Sequence, residues 1–178
     1  MKKKHWLVVP VIVAALVWIN NKLKAKGISL GAITKPPKMR IVYSKKLKPA
    51  DRPKIQSSRD AVNVLREVWS NQIEVREEMV MMLLDRSNRV LGYHLLSQGG
   101  ITGTVVDVRL LYSVALESLA SGIILCHNHP SGNTQPSGAD KQLTKNIKES
   151  GKLLDIDLLD HIIITKHAYF SFSDEGYL

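Results

Sequence analysis

The residues best placed to do chemistry are His127-Asn128-His129-Pro130, Ser137 and Asp140. Two histidines one residue apart, with a carboxylate eleven positions further on, can close three corners of a tetrahedral zinc site. The fourth corner is then left for water, as a hydrolytic zinc needs and a structural zinc lacks. The preceding Gly122-Ile123-Ile124-Leu125-Cys126 reads as a short buried strand. Side chains i and i+2 of a strand share a face, so His127 and His129 can point the same way where it ends. The Pro/Ser/Gly-rich segment that follows is a loop by composition. It returns the chain to a helix opening near Ser137, with Asp140 in its first turn.

Each of these residues also has a purely structural reading. Two histidines at a strand end can hydrogen-bond to loop backbone. Ser137 and Asp140 have the spacing of an N-cap and its N3 partner, with Asp in place of the usual Glu. Together, however, an H-x-H strand end, a Pro/Gly-rich loop and a Ser-x-x-Asp helix start make one geometry, and a capped helix end is a rigid mount for a ligand. Metal-assisted hydrolysis also needs a general base. Glu74, Glu77 and Glu78 open the apolar run Met79-Val80-Met81-Met82-Leu83-Leu84, and composition does not choose among them.

His127-x-His129-Pro130, seven residues, Ser137, two residues and Asp140 together resemble the JAMM (MPN+) metalloprotease motif. The longer His-Asn-His-Pro-Ser-Gly stretch, with Leu159-Asp160-His161-Ile162-Ile163, is similar to the RadC branch of that family. The resemblance runs from about Met39 to the end and includes Gly99–Thr104 and Tyr169-Phe170-Ser171-Phe172. It implies a three-layer α/β/α sandwich around a mixed sheet, a JAB/MPN-like and cytidine-deaminase-like architecture. It also implies one zinc per chain on His127, His129 and Asp140. Ser137 would hydrogen-bond the tetrahedral intermediate or orient the water. The family's catalytic glutamate precedes the Asp of a Leu-Leu-Asp strand end by eight residues; counted from Asp85 this gives Glu77, with Glu78 as fallback because a one-residue slip reverses the face. Asp160 and His161 fit either a strand-start hydrogen-bond pair or support behind the ligands. The implied chemistry is amide hydrolysis at a peptide or isopeptide bond, with zinc lowering the pKa of its water to roughly 7.

Charge bears on partners. Residues 1–54 hold fourteen Lys/Arg against Asp51 alone, whereas the remainder holds eleven against fifteen acids, a net of −4. The part of the expected catalytic domain from residue 55 on is thus mildly acidic and not a surface built for phosphates. A DNA role, which the RadC resemblance brings as a repair label, would rest on Lys45, Lys46, Lys48, Arg52 and Lys54, interleaved with no aromatic beyond Tyr43. The alternative to an enzyme is a non-catalytic, repair-associated adaptor that keeps the fold and binds protein or DNA.

Trp6–Ile19 is a fourteen-residue apolar run between lysine-bearing flanks. As a helix it would cover about 21 Å, short of the roughly 30 Å hydrocarbon core. Trp6 and Trp18 suit two membrane interfaces, while Pro10 and the lack of a small-x-small site speak against a cleaved signal. An uncleaved anchor is one expectation. The other is translation from Met39, after the linker Ile33–Lys38, which would give a cytoplasmic protein. The expected division is an extension over 1–38 and a RadC-like domain over 39–178.

Within that domain, periodicity predicts a helix over Ser58–Trp69 with Ala61, Val62, Leu65 and Val68 inward. Strands at about 75–84 and 89–96 flank the turn Asp85–Asn88. A helix capped by Asp107 turns Leu111, Val114, Ala115 and Leu119 inward. A helix near 138–151 and strands at about 157–165 and 168–173 complete an alternating α/β pattern around a mixed sheet. Some 140 residues suffice for one core. The single cysteine, Cys126, excludes an intrachain disulfide and reads as core. Met79, Met81 and Met82 read as strand filling, and His5, His94 and His167 as surface residues.

Overall fold

The computed structural model describes residues 8–27, 48–99 and 106–178. The chain separates into two units, Met1–Arg40 and Ile41–Leu178. The first contains helix α1, Val8–Lys24, with Lys22 and Lys24 in the last turn, where positive charge suits the carbonyl end. No helix among the described residues is long and apolar enough to cross a membrane. The expectations attached to Met1–Leu7, the linker and start at 33–39, Tyr43, Lys45, Lys46 and Gly100–Thr104 lie outside the described residues.

In the second unit, a 3-10 turn at Pro49–Asp51 leads to α2, Ser58–Val68, whose N-cap Ser57 accepts from Asp60 N–H through its side chain. The strands are β1 (Glu78–Leu84), β2 (Val90–Gln98), β3 (Gly122–Asn128), β4 (Asp157–Ile164) and β5 (Tyr169–Ser171). Helix α3, Val108–Glu117, precedes β3, and α4, Gly138–Leu154, joins β3 to β4. The strands form one mixed sheet in the order β2-β1-β3-β4-β5, parallel only between β3 and β4. Asp85 and Asn88 make the β1–β2 turn possible: Asp85 Oδ1 accepts from Ser87 and Arg89 N–H, and Asn88 takes a positive φ of 57°.

β1 and β3 are buried along their full length, as inner strands covered on both faces should be. The pleat sorts their residues. Met79, Met81, Leu83, Ile123 and Leu125 pack with Leu111, Tyr112 and Ala115 of α3 and Ile147 of α4. Val80, Met82, Leu84, Ile124 and Cys126 pack on the other face with Ala61, Val62 and Leu65 of α2. Each fully buried Leu, Ile, Val or Met among them contributes roughly 1.5–3 kcal/mol. The result is an α/β fold with helices on both faces of a mixed sheet, as expected.

Two local expectations need correction. Leu119 is 71% exposed, because α3 stops at Glu117 and Leu119 sits beyond it in left-handed backbone at φ 53°. Residues 75–77 do not belong to β1: Val75 N–H donates to Gln72 O within a turn, and Asn128 Nδ2 holds the turn carbonyls of Ile73 and Arg76 at 2.7 and 2.8 Å.

Candidate metal centre

β3 delivers the histidines. His127 pairs with Met79 across the ladder and stands on the face covered by α3 and α4. His129 follows the strand end, where its N–H donates to Ile164 O at 3.2 Å. The loop then turns through Gly132, at φ +80°, and enters α4 through a reciprocal capping box. Ser137 Oγ accepts from Asp140 N–H at 3.1 Å, while Asp140 Oδ2 accepts from Ser137 N–H at 2.8 Å and from its hydroxyl at 2.6 Å. Capping therefore fixes Oδ2 and leaves Oδ1 facing His127.

Nε2 of His127 lies 3.0 Å from Nε2 of His129 and 3.3 Å from Asp140 Oδ1, and His129 Nε2 is 4.0 Å from Asp140 Oδ2. The three residues, each offering one atom within 4.8 Å of the others, form a group that could hold a metal ion. Their hydrogen bonds favour that use. His129 Nδ1 is 2.7 Å from Asn133 O, and a carbonyl only accepts, so Nδ1 carries the proton and the neutral ring has a bare Nε2. Burial pulls the His127 pKa down to about 4; the Asp140 charge opposes this and His129 adds to it. At neutral pH the His127–Asp140 contact is therefore not an ion pair. Converging acceptors of this kind are relieved by a donor or a cation from outside: a water, a shared proton or a metal ion.

Glu77 and Glu78 diverge. Glu77 lies just ahead of β1. Loss of hydration raises its pKa, the His129 charge lowers it and the Asp140 charge raises it, which places its carboxyl within the field of the centre. Glu78 is 2% exposed on the opposite face, where it accepts from Ser70 Oγ at 2.6 Å and Gln98 Nε2 at 3.1 Å, with Arg76 Nε at 3.5 Å. Glu74 pairs with Lys166 at 2.8 Å on the exposed surface.

Asp160 and His161 part in the same way. Asp160 accepts from Ser171 Oγ, Ser173 N–H and His161 N–H on the α2 side. His161 stands behind His127, Nε2 to Nδ1 at 2.8 Å. Cys126 is buried and its thiol pKa is raised by that burial, while His94 and His167 are exposed.

Sequence reasoning passed over two polar residues in this region. Thr144 lies one helical turn after Asp140, a spacing that puts both on one face of α4. Asn128 lies between the two histidines, and strand alternation sends it to the opposite side of the sheet.

The comparisons agree with the geometry. The family described as the RadC-like JAB domain matches residues 55–177. A UPF0758 protein of Flavobacterium johnsoniae is 50% identical over 123 residues, covering 69% of this chain and 53% of that protein. One from Porphyromonas gingivalis is 48% identical over 104 residues, covering 58% and 46%. A third, from Methanosarcina mazei, is 32% identical over 166 residues, covering 93% and 70%. The chain thus spans about half the length of the first two relatives. With the fold, the centre and these matches in agreement, the chain belongs to the RadC-like JAB domain family.

Proposed function

We propose that this chain is a metal-dependent hydrolase acting on a peptide or isopeptide bond, with one zinc ion held by His127, His129 and Asp140. Two imidazoles and a carboxylate suit zinc's borderline softness, and three protein ligands are the number that catalytic zinc sites use. Zinc, when bound, would acidify a water and polarise the scissile carbonyl. The protein's own groups do the rest. Glu77 accepts the proton of the attacking water and returns it to the leaving amine, and its raised pKa brings it nearer the operating pH of a general base. Ser137 holds Asp140 through both N–H and hydroxyl. The N–H can keep Oδ2 in place while the hydroxyl turns to steady the substrate oxygen.

The observation that carries this reading is the convergence of His127, His129 and Asp140 within 4.8 Å of one another; the charges of His129 and Asp140 act on Glu77, while Glu78 is tied off by Ser70 and Gln98. The test begins with metal content of the purified full chain beside His127→Ala and Asp140→Ala. About one zinc per chain, lost in both variants, supports the reading; peptide and isopeptide substrates are then assayed with Glu77→Gln as control. A wild-type protein that retains no zinc after incubation with it would overturn the catalytic reading in favour of a binding role.

A further inference from the structure

The ligand-bearing face holds another buried imidazole that the chemistry above leaves unused. His161 pairs with Leu125 across β3–β4, is fully buried, and stacks on Phe172 with ring centroids 4.7 Å apart and planes 17° apart. Both its nitrogens are engaged. Nε2 is 2.8 Å from His127 Nδ1, and Nδ1 is 2.6 Å from Thr144 Oγ1, which is itself 2.6 Å from the backbone oxygen of Asp140.

The direction of these bonds is forced from the carbonyl end. Asp140 O only accepts, so the Thr144 hydroxyl donates to it. With its one proton spent, Thr144 Oγ1 accepts from His161 Nδ1–H. The opposite choice would leave two oxygens 2.6 Å apart with no proton between them. A neutral His161 then has a bare Nε2, which accepts from His127 Nδ1–H. Both rings are buried, an environment that favours the neutral form.

We propose that His161 and Thr144 are positioning residues that lock His127 in the Nδ1–H tautomer, so that its bare Nε2 faces the metal. The inference rests on the metal-centre reading above. Because the chain of bonds begins at one ligand residue and ends on the backbone of another, it also ties the β3 end to the first turn of α4. Outer partners of this kind tune metal affinity by roughly 10–100-fold.

Ring-nitrogen NMR on the metal-free full chain reads the tautomers directly. His127 and His161 should both appear as Nδ1–H at neutral pH, whereas an Nε2–H tautomer at either ring, or an imidazolium at His161, would overturn the proposal. This readout needs no metal, so it separates failure of the relay from failure of the zinc reading, which a wild-type protein without zinc affinity would signal. The second measurement is zinc affinity by competition with a chromophoric chelator. His161→Phe keeps a ring to stack on Phe172 but removes both nitrogens, and should weaken zinc binding about 10–100-fold. His161→Gln retains an acceptor for His127 and should recover most of that loss. If His161→Phe does not fold, Thr144→Val, which removes the hydroxyl at nearly constant size, carries the same test. Unchanged zinc affinity in a folded His161→Phe or Thr144→Val, whatever its melting temperature, would reduce these residues to structural ones.

Discussion

The two faces of the sheet carry polar clusters within a few residues of each other, built from neighbouring positions of the same strands, and they are finished differently. On the α2 side, Asn128 is fully buried and uses its whole amide: Oδ1 accepts from Glu78 N–H at 2.7 Å, and Nδ2 donates to two carbonyls. Glu78 and Asp160 beside it are likewise supplied with donors. On the α4 side, the Nε2 atoms of His127 and His129 and the Asp140 carboxylate turn toward one point. A closed cluster holds a fold together, because its buried carboxylates and amide are answered, even though Arg76 Nε stands 3.5 Å from Glu78 without a hydrogen bond. An open cluster of acceptors calls for a donor or a cation from outside, which stability alone would not maintain.

The most severe way to test this contrast is to neutralise the adjacent glutamates one at a time. Glu77→Gln should lower turnover by about 10²–10⁴-fold, the usual range for a general base, with zinc content and melting temperature little changed. Glu78→Gln should instead lower the melting temperature and leave turnover of the folded protein near wild type. If Glu78→Gln were the variant that lost turnover, the assignment of faces would be wrong. Next in size is Asn128→Ala, which strips one buried and two part-buried hydrogen bonds at once and should cost about 3 kcal/mol in denaturant unfolding. Loss of less than about 1 kcal/mol would mean that water already serves those groups.

The contrast also shows what a sequence can disclose. The ligand triad was legible because H-x-H, a loop and a capping box are local patterns, each read within a dozen residues. The two-sided core was legible because β1 and β3 are unbroken apolar runs. The partners behind the ligands were not. Thr144 and His161 meet only because α4 crosses back so that β4 lies parallel beside β3, a pairing that spans seventeen residues of chain. Asn128 drew no notice because its partners, Ile73 O and Arg76 O, lie more than fifty positions away and are backbone atoms. The same bonds explain the misplaced start of β1, since carbonyls taken by a side chain are lost to the ladder. Leu119 was misread because periodicity carries no signal for where a helix ends.

Acid should expose the two faces with opposite signs in the metal-free protein. His127 has a folded pKa near 4 against an ordinary value of 6.5. Between those values the unfolded chain binds the proton and the folded one does not, so stability falls as pH drops from about 6.5 to about 4, by up to about 3 kcal/mol. Asp160 is shifted the other way, its carboxyl pKa raised mainly by burial and partly restrained by its donors. Its folded form binds the proton more readily, so it adds stability below the unfolded value of 3.8 that is lost as pH rises through its folded pKa. Denaturant midpoints measured from pH 7 to 4 should therefore show a decline that His127→Gln reduces but does not abolish, because burial lowers the His161 pKa as well and adds a decline of the same sign. A decline unaltered by His127→Gln would place the sensitive group elsewhere.

The smallest expected effect sharpens the comparison most, because Ser137 belongs to both kinds of cluster. As an N-cap it is structural, and Ser137→Ala should cost about 1 kcal/mol of stability. As a neighbour of Asp140 it is functional, but the Ser137 N–H still holds Oδ2 after the hydroxyl is gone, so zinc affinity should fall only a few-fold. Turnover separates the roles. If the hydroxyl serves only the cap, kcat per folded, zinc-loaded molecule is unchanged and Ser137→Asn, another good cap, restores stability. If it also steadies the reacting oxygen, kcat falls well beyond the 1 kcal/mol equivalent and Ser137→Asn restores stability without restoring turnover. An equal recovery of both would assign Ser137 to the closed, structural side.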